Sequence, residues 1–261
     1  MRQFLLRLLL LLLVVSVIFG IYRLLTIRPL DNVAFFRDRP GLAAVDSASL
    51  AGAHPYTLAA FQSANAAGAN GLYLPVQLTS DGVLLVTDLD LSGLARADID
   101  GMAAFTGALT LQEALTAFPE MRAIVDLRQP TLQGVAALLQ AIDASRARAR
   151  VLAAVDHPLL ANILREQAPD LGTVATSAEA AAFLTTQRFR LTPFYRPVAP
   201  ALLLAGDEID KRLVDAARGR GMHLVALAGQ QESAALQALI DAGVDGVVVT
   251  DPAPLGELSW P

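Results

Sequence analysis

Residues 56–88 read YTLAAFQSANAAGANGLYLPVQLTSDGVLLVTD, and this stretch decides the fold. Thr57 is placed to cap a helix, because its hydroxyl can accept from an orphan amide of the first turn. Leu58, Phe61 and Ala64 recur at helical spacing. Gly68 stands where a left-handed residue stops the helix. Leu72, Leu74 and Val76 then alternate with Tyr73, Pro75 and Gln77, the period of a strand. Ser80-Asp81-Gly82 is a turn, since glycine tolerates the positive φ that a tight turn needs. Val83-Leu84-Leu85-Val86 is an apolar run suited to a second, buried strand. Leu72, Leu74, Val76, Val83, Leu85 and, further on, Val125 are expected to be buried.

The same alternation of strand and helix continues on both sides. Leu42 to Val45 is a first strand, with Asp46-Ser47-Ala48 at its C-terminal end. Asp90 to Gly107 is a loop with scattered acidic residues. Leu111 to Ala117 is a helix, with Thr110 and Glu113 spaced as a capping box. Ala123 to Arg128 is a strand, followed by a helix from Leu132 to Ser145 and a strand from Val151 to Val155. A helix from Pro158 to Glu166, a strand from Gly172 to Ala175 and a helix from Ala178 to Leu184 follow. Arg188 to Thr192 is expected as a strand, before the loop PFYRPVAP. Helices from Asp207 to Arg218 and Ser233 to Ala242 alternate with strands at His223 to Leu227 and Gly246 to Val249. Such alternation over roughly 220 residues predicts an α/β fold, a closed (β/α)8 barrel of the TIM type.

The front of the chain is different. Of the 261 residues, 54% are hydrophobic, and the mean hydropathy is +0.47. Part of that lies between Phe4 and Leu25, a run broken only by Arg7 and Arg23. Its uncharged core, Leu8 to Tyr22, can cross a hydrocarbon layer of roughly 30 Å if the flanking arginines snorkel. The alternative is a cleaved signal peptide, but bulky Ile21 to Leu25 follow where a small-residue cleavage site would stand. The expected organisation is a transmembrane signal anchor at 1–28, a linker at 29–40 rich in Pro and charge, and one barrel domain at 41–261. Phe35 and Phe36 in the linker could lie on the barrel or at a membrane interface. The expected location is a single-pass membrane protein of a bacterial inner membrane. Arginines on both sides of the apolar run leave open the side that the domain faces. A net charge of -5 gives no support for nucleic-acid binding, and the absence of cysteine is silent on compartment.

The order and spacing of TLAAF at 57–61, GANG at 68–71 and VQLTSDG at 76–82 resemble the glycerophosphodiester phosphodiesterase family. That family reads roughly P-E-N-T-L-A-A-F, then G-A-D-G-I-E-L-D-V-Q-L-T-K-D-G, then V-V-x-H-D. The resemblance extends to LTLQEAL at 109–115 and GVDGVVVTDP at 243–252, and covers nearly all of Gly41 to Pro254. It implies a barrel of the PLC-like phosphodiesterase kind, with chemistry on the loops at the C-terminal strand ends.

The frame is kept, and the chemistry the resemblance implies is not. Where the family has H-R-G, this chain has Asp46, Ser47 and Ala48. The second family histidine falls at Asp88, with Leu89 after it; a one-residue shift would place Thr87 there. The two metal carboxylates of E-L-D correspond to Tyr73 and Pro75, and the W-T-x-N of the family to Leu227-Ala228-Gly229-Gln230. Asp126 and Arg128 stand where the family carries a metal-binding Glu and a Lys near phosphate. His54 falls at the Pro of P-E-N-T and is expected to be an exposed loop residue. His157 follows a strand end and could reach the mouth, whereas His223 begins a strand at the opposite end and is expected to be structural.

These positions lead to two expectations. The first is a membrane-anchored member without catalysis, acting as a binding or scaffolding module. It needs no cofactor, and its partners are the membrane and a phosphodiester or lipid head-group ligand; no protein partner is named. The histidine pair moves protons near neutral pH, whereas an exposed carboxylate with a pKa of about 4 is a poor general acid there. The alternative is an active phosphodiester hydrolase in which Asp46, Asp88 and Asp126 hold Mg2+ or Ca2+. A plainer possibility for these aspartates is solvated strand ends or helix caps.

Overall fold

The computed structural model describes residues 33–37, 41–46, 55–91, 93–102 and 105–260, with Leu30 and a few positions before it. Ser47, Ala48, His54 and most of the apolar run at 8–22 lie outside the described residues. Among the described residues, no helix is long and apolar enough to cross a membrane.

Nine strands are described: β1 (Leu42–Asp46), β2 (Gly71–Leu78), β3 (Leu84–Val86), β4 (Arg122–Leu127), β5 (Val151–Ala154), β6 (Gly172–Thr173), β7 (Ala201–Ala205), β8 (His223–Gly229) and β9 (Gly246–Val249). The helices are α1 (Leu58–Ala66), α2 (Arg96–Ile99), α3 (Leu111–Ala117), α4 (Leu132–Ala144), α5 (Pro158–Gln167), α6 (Ser177–Arg188), α7 (Lys211–Arg218) and α8 (Ser233–Ala242). Eight strands follow one another in parallel in the order β6-β5-β4-β2-β1-β9-β8-β7. A parallel bridge between Val174 and Ala201 brings the two ends of this order together. The result is a nearly closed TIM-type barrel, with β3 folded back antiparallel on β2.

Alternation along the strands sorts the core into two layers. Leu72, Leu74, Val76, Val125 and Leu127 face the helices and form the larger cluster. Leu42, Ala44, Tyr73, Ile124, Leu152, Val225 and Val248 fill the barrel. Glycine is needed where Leu42 crosses the interior: a Cβ on Gly71 would lie 2.5 Å from Leu42 Cδ1, and one on Gly246 2.6 Å from Leu42 Cβ. Pro75 is accommodated because the β1 pairing with β2 ends at Asp46–Tyr73 and β3 takes over at Val76. The Pro75 carbonyl accepts from the Thr87 amide at 2.9 Å in that gap. Its missing amide falls on the same side, so the ladder to β4 is intact.

Short-range signals hold. Thr57 Oγ1 accepts from the Ala60 amide, Gly68 has φ +99°, and Thr110 and Glu113 form both halves of a capping box. Four expectations are corrected. Arg188 to Thr192 is no strand: Arg188 ends α6, and Arg190 has φ +56° in the following turn. Their alternating Arg and Phe/Leu pattern imitates a strand, yet Phe189 and Leu191 are exposed. The strand is Ala201–Ala205, an apolar run between Pro200 and Gly206. The helix expected from Asp207 starts at Lys211, because the Asp210 carboxylate accepts from the Leu213 amide at 2.7 Å. The loop at 90–107 contains the short helix α2. Val83 is half-buried, since its amide is held in the turn by Thr79 Oγ1 at 2.9 Å rather than in the ladder.

Phe35 and Phe36 lie on the barrel, closing the end where the strands begin. Phe35 is 1% exposed, with the Arg122 guanidinium 5.6 Å from its ring centre. Phe36 stacks on His223 at 3.9 Å, and His223 Nδ1 lies 2.9 Å from Asp245 Oδ1. His223 therefore has a packing role at the end opposite the mouth.

Candidate functional site

The mouth is built by the ends of β1, β2, β3 and β4. Period-2 alternation turns Tyr73 into the barrel, and one barrel layer below Asp126, because Pro75 is the residue in register with Asp126. Asp46 is in register with Tyr73 across β1. Asp126 is partly buried, and Arg128 is 44% exposed along its side chain.

Two tyrosine–aspartate pairs occupy this mouth. Tyr73 Oη donates to Asp126 Oδ2 at 2.6 Å, and Arg128 Nε lies 3.2 Å from the same oxygen. The Arg128 guanidinium carbon is 6.0 Å from the centre of the Tyr73 ring. Tyr56 Oη donates to Asp46 Oδ1 at 2.9 Å. Tyr56 is 2% exposed and holds φ +57°, a left-handed conformation that costs a bulky residue roughly 1–3 kcal/mol. Burial of the ring and the bond to Asp46 offset that cost. Asp88 is exposed just beyond β3, and its charge bears on Tyr56 together with that of Asp46. His157 is an exposed helix cap, with Nδ1 facing the Leu160 amide.

Burial pushes both phenols well above their usual range, and the adjoining carboxylates push them further, Asp46 for Tyr56 and Asp126 for Tyr73. Burial works against the Arg128 charge, but Asp126, Tyr73, Tyr56 and Asp46 together outweigh it and hold the guanidinium above its usual value. The tyrosine shifts have a consequence for stability. In the unfolded chain a phenol ionises at about pH 10. The folded chain keeps the proton, so stability is complete below that pH and falls as the pH rises above it. Urea midpoints measured between about pH 8 and pH 11 are expected to drop at the alkaline end. The Tyr56→Phe/Tyr73→Phe variant should show a shallower drop; an identical slope in both proteins would contradict the assignment.

This donor set does not fit a divalent cation. Such a cation takes several oxygen ligands, usually with ionised carboxylates among them. Pro75 has no side-chain donor, and the Tyr73 hydroxyl donates a hydrogen bond to Asp126, where Arg128 already competes for the same oxygen. Among the described residues, no group of three His, Cys, Asp or Glu side chains that could hold a metal ion is found. Asp46, Asp88 and Asp126 are thus not gathered into one metal-binding group.

Tyr56 was not singled out as a site residue from the sequence. Its signal was slight: an aromatic residue between Pro55 and the cap Thr57, ten residues after Asp46. Tyr73 carried a clearer one, because a buried tyrosine hydroxyl requires a partner and Asp126 ends the neighbouring strand.

Fold and site together define a class: a nearly closed TIM-type barrel with tyrosine–aspartate pairs at its mouth. Solved structures agree on the fold. The chain is similar to the glycerophosphoryl diester phosphodiesterase domain of a Mycobacterium tuberculosis protein, with 17% identity over 84% of this chain and 99% of that one, at a TM-score of 0.70. A glycerophosphodiester phosphodiesterase from Agrobacterium tumefaciens matches with 17% identity over 84% of this chain and 98% of that one, at 0.67. An Oleispira antarctica phosphodiesterase, solved with its product sn-glycerol-3-phosphate, matches with 16% identity over 84% and 96%, at 0.66. No family model matches the sequence, and no curated protein matches it. The likeness to glycerophosphodiester phosphodiesterases thus runs from motif frame to whole fold.

Proposed function

We propose that this protein is a membrane-anchored, glycerophosphodiester phosphodiesterase-like barrel that does not hydrolyse phosphodiesters and serves as a binding or scaffolding module. The observation that carries this reading is the closure of Asp126 by Tyr73 at 2.6 Å and Arg128 at 3.2 Å. Hydrolysis of an anionic diester requires its charge to be neutralised and a proton to be moved to the leaving alcohol. At this mouth the carboxylate that resembles a metal ligand is bound internally, and aspartates stand at both positions of the resembling family's histidines. General acid–base catalysis contributes about 10²–10⁴-fold, so its loss alone is severe. A phosphodiester head group that entered the mouth would meet Arg128 as its cationic contact, against the charges of Asp46 and Asp126.

The test is release of glycerol 3-phosphate from glycerophosphocholine and glycerophosphoethanolamine, with Mg2+ or Ca2+ present. No turnover above a metal-free control is expected. Metal-dependent turnover that Asp126→Ala abolishes would overturn the reading and favour an aspartate-based metal site. The Asp46→His/Asp88→His variant is expected to remain inactive, because Tyr73 and Pro75 still offer no metal carboxylates.

A further inference from the structure

The segment between α6 and β7 carries an exposed apolar and cationic face that the barrel itself does not use. Phe189, Leu191 and Phe194 are 66%, 48% and 43% exposed within six residues of chain. Apolar side chains scattered singly need no explanation, but a cluster of bulky ones marks an interaction surface. Arg188, Arg190 and Arg196 are exposed among them, and no Asp or Glu occurs from residue 180 to residue 206. None of these three arginines enters the ion pairs formed among the described residues. Asp210 lines the hollow beside Arg188 and Arg190, but its carboxylate caps α7 and Arg212 lies next to it.

The face is held in place from below. Leu191 N–H donates to Thr186 O at 2.7 Å, and Phe194 N–H to Leu191 O at 2.9 Å. Tyr195 packs edge-on against Phe183 at 5.2 Å and donates to Glu179 O at 3.2 Å. A connection from a helix to the next barrel strand belongs to the end opposite the mouth. The N-terminal segment meets the molecule on this side as well. Leu30 N–H donates to Arg220 O at 3.2 Å in the next such connection, and a Cβ on Gly20 would lie 3.9 Å from Phe194 Cε1.

We propose that this face docks on an anionic lipid bilayer. Phe189, Leu191 and Phe194 enter the head-group boundary, while Arg188, Arg190 and Arg196 meet the lipid phosphates. Aromatic and aliphatic side chains interleaved with arginine suit an interface with an apolar depth and an anionic surface. The barrel mouth, with Tyr73, Asp126 and Arg128, then points away from the bilayer. The proposal rests on the anchor reading only in that Gly20, which belongs to the apolar N-terminal stretch, lies beside Phe194.

The chain has no cysteine, so single-cysteine variants can carry a fluorophore that reports its surroundings. Phe194→Cys and, as a control beyond the mouth strand β3, Leu89→Cys are labelled in the full chain and placed with phosphatidylcholine vesicles, with or without phosphatidylglycerol. Leu191→Cys serves if Phe194→Cys does not fold. The probe at residue 194 is expected to shift to the blue and to be quenched by lipids spin-labelled near the head group. That quenching should be lost in the Arg188→Gln/Arg190→Gln/Arg196→Gln background, and weakened by about 1 M salt. The probe at residue 89 should remain in water. Quenching at both positions, or at neither, would overturn the proposal. Oxidative cross-linking of two copies through residue 194 without lipid quenching would assign the face to self-association and overturn it too. Alkaline carbonate extraction of the same vesicles reports on the anchor alone. Release of the protein with the residue 194 response kept in fresh anionic vesicles would remove the anchor and leave this surface. Retention with a water-exposed probe would do the reverse.

Discussion

Phe35→Ala is expected to lower stability by about 3–5 kcal/mol, the range for truncating a buried phenylalanine. The ring is 1% exposed and meets Phe36 edge-on at 4.8 Å, so its removal leaves a cavity with little room to collapse. It also strips Arg122 of an aromatic face at 5.6 Å. Arg122 keeps its bonds to Gly41 O at 2.9 Å and Asn70 Oδ1 at 3.2 Å, so the loss is mainly one of packing. Phe36, which stacks on His223, then loses its edge-on neighbour. The same contacts decide where the barrel can be cut. Removing the first 30 residues keeps Phe35 and Phe36, while removing 40 takes them away and opens the interior around Leu42 and Val225 to water. Urea midpoints of the full chain and the substituted chain are the check. An unchanged midpoint would mean that the two phenylalanines do not seal this end in solution.

Leu74→Ala is expected to cost about 2–5 kcal/mol, because Leu74 is fully buried on the helix-facing side of β2. It pairs in register with Val125, which is also fully buried. Strands on each side hold its backbone in place, so the site cannot relax inward to fill the missing volume. The effect should be confined to stability, since Leu74 points away from the barrel interior where Tyr73 and Asp126 meet. A denaturation midpoint equal to that of the parent chain would contradict the face assigned to this strand.

The two substitutions differ in how legible their environments are in the sequence. Leu74 belongs to an alternation that spans a few residues, and its burial follows from that period alone. Phe35 lies in a stretch rich in Pro and charge, with no periodicity, and its partner Arg122 is far away along the chain. The strand at Ala201–Ala205 was hidden for a related reason. Its apolar residues show no alternation, whereas the Arg/Phe alternation just before them belongs to helix α6 and its turn.

By itself the sequence determined the strand–turn–strand frame and the caps at Thr57 and Thr110, and put Tyr73, Pro75, Asp46 and Asp88 where the resembling family has carboxylates and histidines. Those features depend on bonds and periods within a few residues, or on residue type alone. Only the tertiary structure decided that Tyr73 closes on Asp126 across 53 positions, that Tyr56 reaches Asp46, and that Phe35 and Phe36 seal the barrel. Each of these needs the register between strands, and that register is set by packing over the whole barrel rather than by any local stretch.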